Sequence, residues 1–197
     1  MTMVDSVKQL PPYLTQQLSA PPGRTHRYLQ SPPLFPFGFG IGSRPLSYTG
    51  LKVEPELFSA SSPPTHISVT VDLRDRGLPA ATVSKNSTEV VQVYLRYEVP
   101  DEEREAGESS IPLQELKAFR RVSVPAGGLL VVRFEIPVVE MDLMMPEGTM
   151  GLFGGDWIVS VGGTSPRTPG RLLRGGGADA CAGSPERPLT AKLHVAE

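Results

Sequence analysis

The chain is 197 residues long, with 39% hydrophobic and 20% charged residues, which suffices for one domain with appendages or for two small domains. Its net charge of −2 argues against a nucleic-acid partner bound by broad neutralisation of phosphates. The 20 glycines and 21 prolines are about twice the average share, which predicts a turn-rich chain with few long helices.

Targeting and redox features are sparse in this sequence. The single cysteine, Cys181, excludes an internal disulfide bond and a cysteine-based zinc cluster. No apolar run reaches the roughly 18 residues of a membrane span, so we expect no membrane partner. The first residues, MTMVDSVKQLPPYL, lack the basic start and apolar run of a signal peptide. We therefore expect either a cytosolic protein or the tail of a longer chain, and the compartment stays open.

Residues 1–50 have the composition of an irregular linker. A short helix can form within residues 4–18, but two consecutive prolines would break it. Residues 21–29 are interpreted as a turn followed by a short extended piece.

Apolar and polar residues alternate along much of the remaining chain, with the period of two expected of half-buried strands. In residues 66–75, for example, Ile67, Val69, Val71 and Leu73 share one face. About seven short strands are predicted in this way, at 51–57, 66–75, 89–99, 115–124, 129–136, 156–163 and 189–196. Short strands separated by turn signals are typical of a β-sandwich, so we predict an all-β, immunoglobulin-like fold.

Two of these strands, ELKAFRRVSV and LLVVRFEI, are joined by PAGG at 125–128. Pro125 fixes φ and the two glycines permit positive φ, so this segment can reverse the chain. Alternate residues from Leu130 to Ile136 fall on one face. We predict a β-hairpin over residues 115–136.

Several sequence blocks resemble, in order, the C-terminal end of glycoside hydrolase family 3, the β-glucosidase and β-xylosidase family. The blocks are PGRTHRYL at 22–29, PLFPFGFG at 33–40 with LSYT at 46–49, EVVQVYL at 89–95, PLQELKAFRRV at 112–122 and GDWIVSVGGTS at 155–165. His26 stands where the family usually has tyrosine, and Ile41 to Pro45 interrupt the second block. The likeness covers about residues 5–165, and LTAKLHV fits the family's final strand.

The resemblance implies a fibronectin type III-like sandwich over residues 51–165. Residues 1–50 would then be the linker, or the tail of the preceding hydrolase domain. Residues 166–188, rich in Gly, Pro and Arg, are expected to form a flexible loop, and residues 189–197 the final strand of the sandwich.

The resemblance assigns no catalytic residue to this chain. The family's catalytic aspartate lies on an N-terminal (β/α)-barrel and its acid/base carboxylate in other upstream regions. Asp156 and Trp157 match a different family position, and retaining hydrolysis needs two carboxylates about 5–5.5 Å apart. We therefore expect an accessory module without a cofactor, whose partner is a set of catalytic domains absent here. The parent family is often secreted.

Five aromatic residues are candidates for contact with a sugar. Phe35, Phe37 and Phe39 alternate with proline and glycine, which is typical of an extended segment that lies over a core. Together with Tyr48 and Trp157 they could form a platform on which sugar rings stack. The alternative, which we favour, is that they pack the linker onto the sandwich. Phe37 and Trp157 are the two candidate substrate-binding residues.

Other polar groups have simple interpretations. The acidic run at 101–105 is interpreted as a solvated loop, and the arginines at 167, 171 and 174 as part of a soluble one. No metal site is predicted, because the histidines share no ligand spacing: His26, His66 and His194. Asn86 begins a sequon whose glycosylation depends on entry into a secretory pathway.

Three functions stay open from the sequence. The first, which we favour, is a structural module of a family 3 enzyme. The second is a stand-alone sandwich that binds a carbohydrate or a protein, with a polysaccharide as its candidate partner. The third is a small active glycosidase, for which we identify no residues.

Overall fold

A computed structural model of the chain describes residues 2–40, 46–76, 86–99, 111–144, 148–166 and 188–197. Helical structure in these residues is limited to α1 and two short 3₁₀ turns: Thr25–Tyr28, Val7–Gln9 and Val138–Met141. The rest of the regular structure is β-strand, packed as a sandwich of two main sheets. The predicted all-β sandwich is confirmed.

Ten strands are described. They are β1 Leu46–Glu54, β2 Leu57–Ser59, β3 His66–Asp75, β4 Ser87–Tyr97, β5 Glu115–Val124, β6 Leu129–Pro137, β7 Leu143–Met144, β8 Met150–Gly151, β9 Gly155–Gly162 and β10 Leu189–Ala196. The small sheet has the order β1-β3-β6 and the large sheet the order β2-β10-β9-β4-β5. All pairings in these two sheets are antiparallel except that of β2 with β10. Strands β7 and β8 pair separately.

The core lies between the two main sheets and follows the alternation in the sequence. Ile67, Val69, Val71 and Leu73 of β3 are all completely buried, as predicted for one face of this strand. The opposing sheet contributes Val91, Val93 and Leu95 of β4, Trp157, Val159 and Val161 of β9, and Leu193 of β10. Burial of these apolar side chains is the main force that holds the two sheets together.

The predicted β-hairpin over residues 115–136 is wrong. Strand β5 pairs with β4 in the large sheet, whereas β6 pairs with β3 in the small one. The PAGG turn therefore carries the chain across the sandwich. Gly127 adopts a φ of +65°, and the turn is held against the end of β3 by a hydrogen bond from the Asp75 amide to the Gly128 carbonyl (3.0 Å).

Three smaller predictions also differ from the structure. The first strand begins at Leu46, five residues before the predicted start at 51, so it begins inside the segment assigned to the linker. Residues 25–28 form α1 where an extended piece was predicted. A 3₁₀ turn is the only helical structure described within residues 4–18. The domain limits themselves stay predictions.

Several predicted features lie outside the described residues. They are the acidic run at 101–105, most of the loop at 166–188 with its three arginines, Cys181, and the interruption from Ile41 to Pro45. Within the part that is described, no helix is long and apolar enough to cross a membrane.

Replacement of Trp157 by alanine should destabilise the domain by about 3–5 kcal/mol, because it leaves a cavity where a side chain 1% exposed now fills the core. Phe119→Ala is the matched control. The Phe119 ring is 69% exposed, so its loss should cost no more than about 0.5 kcal/mol. Urea unfolding of both variants measures the difference, and equal stability of the two would contradict this core.

Candidate functional site

The central strands of the large sheet, β4 and β9, carry buried residues on both faces. Because side chains alternate along a strand, Gln92 and Tyr94 of β4 point away from the core that Val91 and Val93 enter. Even so, Gln92 is only 4% exposed and Tyr94 only 1%. A further layer of the molecule must therefore cover this outer face.

That layer is residues 22–40, which we call the strap. The His26 ring stacks on the Phe37 ring, with centroids 4.7 Å apart, and meets the Tyr94 ring edge-on at 5.9 Å. Two parts of the strap that are distant in sequence, α1 and the Phe37 segment, thus meet over one tyrosine of β4. Such aromatic contacts stabilise the strap beyond the area that they bury.

Backbone hydrogen bonds hold both parts of the strap to the sandwich. The Leu113 amide donates to the Arg27 carbonyl (2.7 Å), and the Ser165 amide donates to the Phe37 carbonyl (2.8 Å). The side-chain amide of Gln114 donates to the carbonyls of His26 (3.0 Å) and Pro166 (3.1 Å). The strap therefore bridges the segments that precede β5 and follow β9.

Polar groups under the strap are paired with one another. The Tyr94 hydroxyl donates to Gln92 Oε1 (2.5 Å), and Gln92 Nε2 donates to the Gly163 carbonyl (2.8 Å). Burial raises the pKa of the Tyr94 hydroxyl, so that the group remains a neutral donor. This pairing offsets the cost of removing an amide and a phenol from water.

Gly38 crosses directly over the side chain of Gln92. It has a φ of +82°, and a Cβ atom added there would lie 2.2 Å from Gln92 Nε2. Both the conformation and the lack of space require glycine at this position.

An ion-pair cluster lies at the edge of the strap. Arg27 in α1 pairs with Glu115 of β5, and Lys117 Nζ lies 2.9 Å from the second oxygen of that carboxylate. The neighbouring His26 ring is half-buried. Burial and, secondarily, the Arg27 charge lower the pKa of His26 from its ordinary value of 6.5, against an opposing effect of Glu115.

The two candidate substrate-binding residues lie on opposite faces of the large sheet. Phe37 belongs to the strap and stacks on His26. Trp157 faces the core, where its ring lies 5.2 Å from the Tyr97 ring and its Nε1 donates to the Phe153 carbonyl (3.3 Å). The structure therefore does not bring them together as one platform, and the Trp157 ring is closed to a ligand. A sugar contact at Phe37 stays a prediction.

The three histidines lie on three different elements of the structure. His26 belongs to α1 of the strap, His66 begins β3, and His194 is on β10. Among the described residues, no group of three or more His, Cys, Asp or Glu side chains is placed to hold a metal ion. Asn86 is exposed immediately before β4, and its glycosylation stays a prediction.

Two interactions were missed from the sequence. Asp156 and His194 face each other on β9 and β10, with Nδ1 2.6 Å from Oδ1, and this hydrogen bond lowers the pKa of the Asp156 carboxyl. At one end of the sandwich, Glu89 lies near Tyr48. Burial raises the pKa of Glu89, although its carboxylate accepts a hydrogen bond from the Val90 amide (2.8 Å). Strand register brings the first pair together, and alternation alone does not supply register.

The comparisons with known proteins agree with this fold. Residues 89–165 match the family model of the fibronectin type III-like domain. The match supports the predicted fibronectin type III-like fold. A β-xylosidase from Formosa agariphila is 27% identical over 140 residues, which are 71% of this chain and 17% of that protein. The predicted resemblance to the C-terminal part of family 3 glycoside hydrolases is confirmed.

Several solved structures contain a region with the same fold as this chain. A β-glucosidase from Erythrobacter marinus matches 98% of the chain, with a TM-score of 0.61 and 21% identity. A β-glucosidase from Listeria innocua matches 84% of it, with a TM-score of 0.55 and 22% identity. A family 3 β-glucosidase from Bifidobacterium adolescentis matches 80%, with a TM-score of 0.51 and 19% identity. The chain spans only 21%, 18% and 18% of these proteins, respectively.

Gly38→Ala should weaken the strap. The left-handed conformation and the contact with Gln92 predict a loss of about 1–3 kcal/mol in the free energy of unfolding. Gly40→Ala is the matched control, because no atom lies within 4 Å of a Cβ atom added at Gly40. Urea unfolding that shows equal losses for the two variants would contradict the close crossing at Gly38.

Glu89→Gln should stabilise the domain at pH 7. Because burial raises the pKa of Glu89, the folded state binds a proton more tightly than the unfolded state, and stability falls as pH rises through that raised pKa. The gain should vanish below the ordinary pKa of 4.5, where both states are protonated. Thermal unfolding from pH 4 to pH 8 measures this, with the exposed Glu54→Gln as control, and a glutamine variant less stable at pH 7 would refute the assignment.

Proposed function

We propose that this chain is the accessory, fibronectin type III-like part of a family 3 glycoside hydrolase of β-xylosidase or β-glucosidase type, acting in the breakdown of plant cell-wall polysaccharides or oligosaccharides. In this role it contributes no catalytic residue of its own. It packs against the catalytic domains and supports them.

The observation that carries this proposal is the apolar surface of residues 3–18. Its large side chains are unusually exposed: Met3 50%, Val7 82%, Leu10 45%, Tyr13 95%, Leu14 88% and Leu18 45%. Concentrated apolar exposure of this kind marks an interaction surface. Since the relatives are several times longer than this chain, the catalytic domains are the partner that fits.

The apolar surface is attached in an ordered way to the strap, which in turn lies on the sandwich. The amide and carbonyl of Met3 bond to the carbonyl and amide of Phe35. Gln9 Nε2 donates to the Pro32 carbonyl (3.0 Å), and Arg24 Nη2 donates to the Pro12 carbonyl (3.2 Å). A partner bound to this surface would therefore be held at a defined position relative to the sandwich.

The test is binding of the purified chain to recombinant family 3 catalytic domains from the same organism, followed by size-exclusion chromatography with light scattering. We expect a one-to-one complex that the double variant Tyr13→Ser, Leu14→Ser weakens at least about tenfold, since anchoring aromatic and aliphatic side chains dominate such interfaces. Phe119→Ser, an equally polar change of an exposed ring on β5, should bind normally. Absence of any complex, or equal effects of the two variants, would contradict the proposal.

The alternative function is a stand-alone carbohydrate-binding sandwich. In that case exposed aromatic rings outside residues 3–18 would contact the sugar. Phe119 is 69% exposed on β5, and the adjacent rings of Phe35 and Phe39, 4.7 Å apart, are each 36% exposed. Retention of the chain on insoluble xylan or cellulose, lost in Phe119→Ser, together with no binding to catalytic domains, would favour this alternative.

A further inference from the structure

We propose that His26 is a pH-sensitive latch, and that its protonation releases the strap from the outer face of the large sheet. This inference concerns the chain alone and does not depend on a glycosidase partner. It rests on the position of the imidazole ring at the point where the two parts of the strap meet the sheet.

The contacts of His26 suit a neutral ring. The ring stacks on Phe37 and meets Tyr94 edge-on, and neither ring nitrogen has a hydrogen-bond partner among the described residues. A proton added to this ring would therefore find no acceptor among the described protein groups. It would create a cation that has lost part of its water.

The charges around His26 also oppose protonation. The charged groups beside the ring are Arg27 of α1 and Glu115 and Lys117 of β5. Strand β4 contributes only the neutral Tyr94 hydroxyl. The single carboxylate, Glu115, is already shared by two cations, so the described neighbours carry one net positive charge.

Two effects favour the charged ring. The Glu115 carboxylate attracts it, and the face of the Phe37 ring interacts favourably with a cation. The first is weakened because Arg27 and Lys117 occupy both carboxylate oxygens. Burial and the Arg27 charge prevail, and the pKa of His26 in the docked strap lies below its ordinary value of 6.5.

The pH window follows from this direction. The released strap binds a proton more readily than the docked strap, so docking is at full strength above about pH 6.5 and weakens as the pH falls toward the lower, docked pKa. Each unit between the two pKa values shifts the docking equilibrium about tenfold. Release would uncover Gln92 and Tyr94 and would detach the apolar surface of residues 3–18 from its fixed position.

The test is amide hydrogen exchange, measured by NMR on the full chain at pH 7.5 and pH 5.0 and corrected for intrinsic rates. The informative amides are those of Leu113 and Ser165, which donate to the strap carbonyls of Arg27 and Phe37. We expect their protection factors to fall severalfold or more at pH 5.0. Amides in the centre of β3 should keep their protection, because the sandwich stays folded.

His26→Phe keeps an aromatic ring that cannot be protonated, so its protection factors at Leu113 and Ser165 should not depend on pH. His66→Gln and His194→Gln, which alter exposed histidines outside the strap, should behave as the wild type. Unchanged protection in the wild type, or an equal fall in His26→Phe, would overturn the proposal. If His26→Phe does not fold, titration of the wild-type His26 ring decides the matter: a midpoint above 6.5 refutes the latch.

Discussion

The outer face of the central strand β4 must be kept from water, and much of the structure depends on this constraint. A sandwich normally needs only one buried face per sheet, with polar side chains on the other. Here β4 and β9 carry buried residues on both faces, with Ile158 and Ser160 of β9 joining Gln92 and Tyr94 on the outer one. Over Gln92 and Tyr94 the strap supplies the third layer. Residues outside the sandwich are therefore part of the folded unit.

The strap satisfies the polar groups that it covers. Each buried amide or hydroxyl left without a partner would cost about 1–3 kcal/mol. The hydrogen bonds of Tyr94 to Gln92 and of Gln92 to Gly163 remove that cost inside the interface. At its edge, Gln114 joins the strap to the segment after β9, and Glu115 is shared by Arg27 and Lys117. Packing and hydrogen bonding thus specify one position of the strap.

The alternation of apolar and polar residues predicted the positions of the strands well, but it predicted poorly which strands pair. Residues 66–75 and 189–196 match β3 and β10 to the residue, because alternation reports burial of one face. The same alternation does not show which strands pair with each other. The PAGG turn was therefore wrongly interpreted as the turn of a β-hairpin. Alternation places Gln92 and Tyr94 on the face of β4 opposite Val91 and Val93. Their burial could not be foreseen, since it depends on a segment more than fifty residues away.

The candidate site shows the same limit. Alternating phenylalanines predicted a segment that lies over other residues, and the strap does so, but on the outer face of a sheet. Phe37 and Trp157 were considered together as one aromatic group, although strand β9 places the indole on the core side. The sequence marked His26 as unusual for its family block. Only its contacts with Phe37 and Tyr94 explain what the ring does.

The central claim is that the strap is docked on the large sheet through His26. Its most direct test is a nuclear Overhauser measurement between ring protons in the full chain at neutral pH. The account predicts cross-peaks from the His26 ring to the rings of both Phe37 and Tyr94, whose centroids lie 4.7 and 5.9 Å away. A His26 ring with random-coil chemical shifts and no cross-peak to Tyr94 would contradict it.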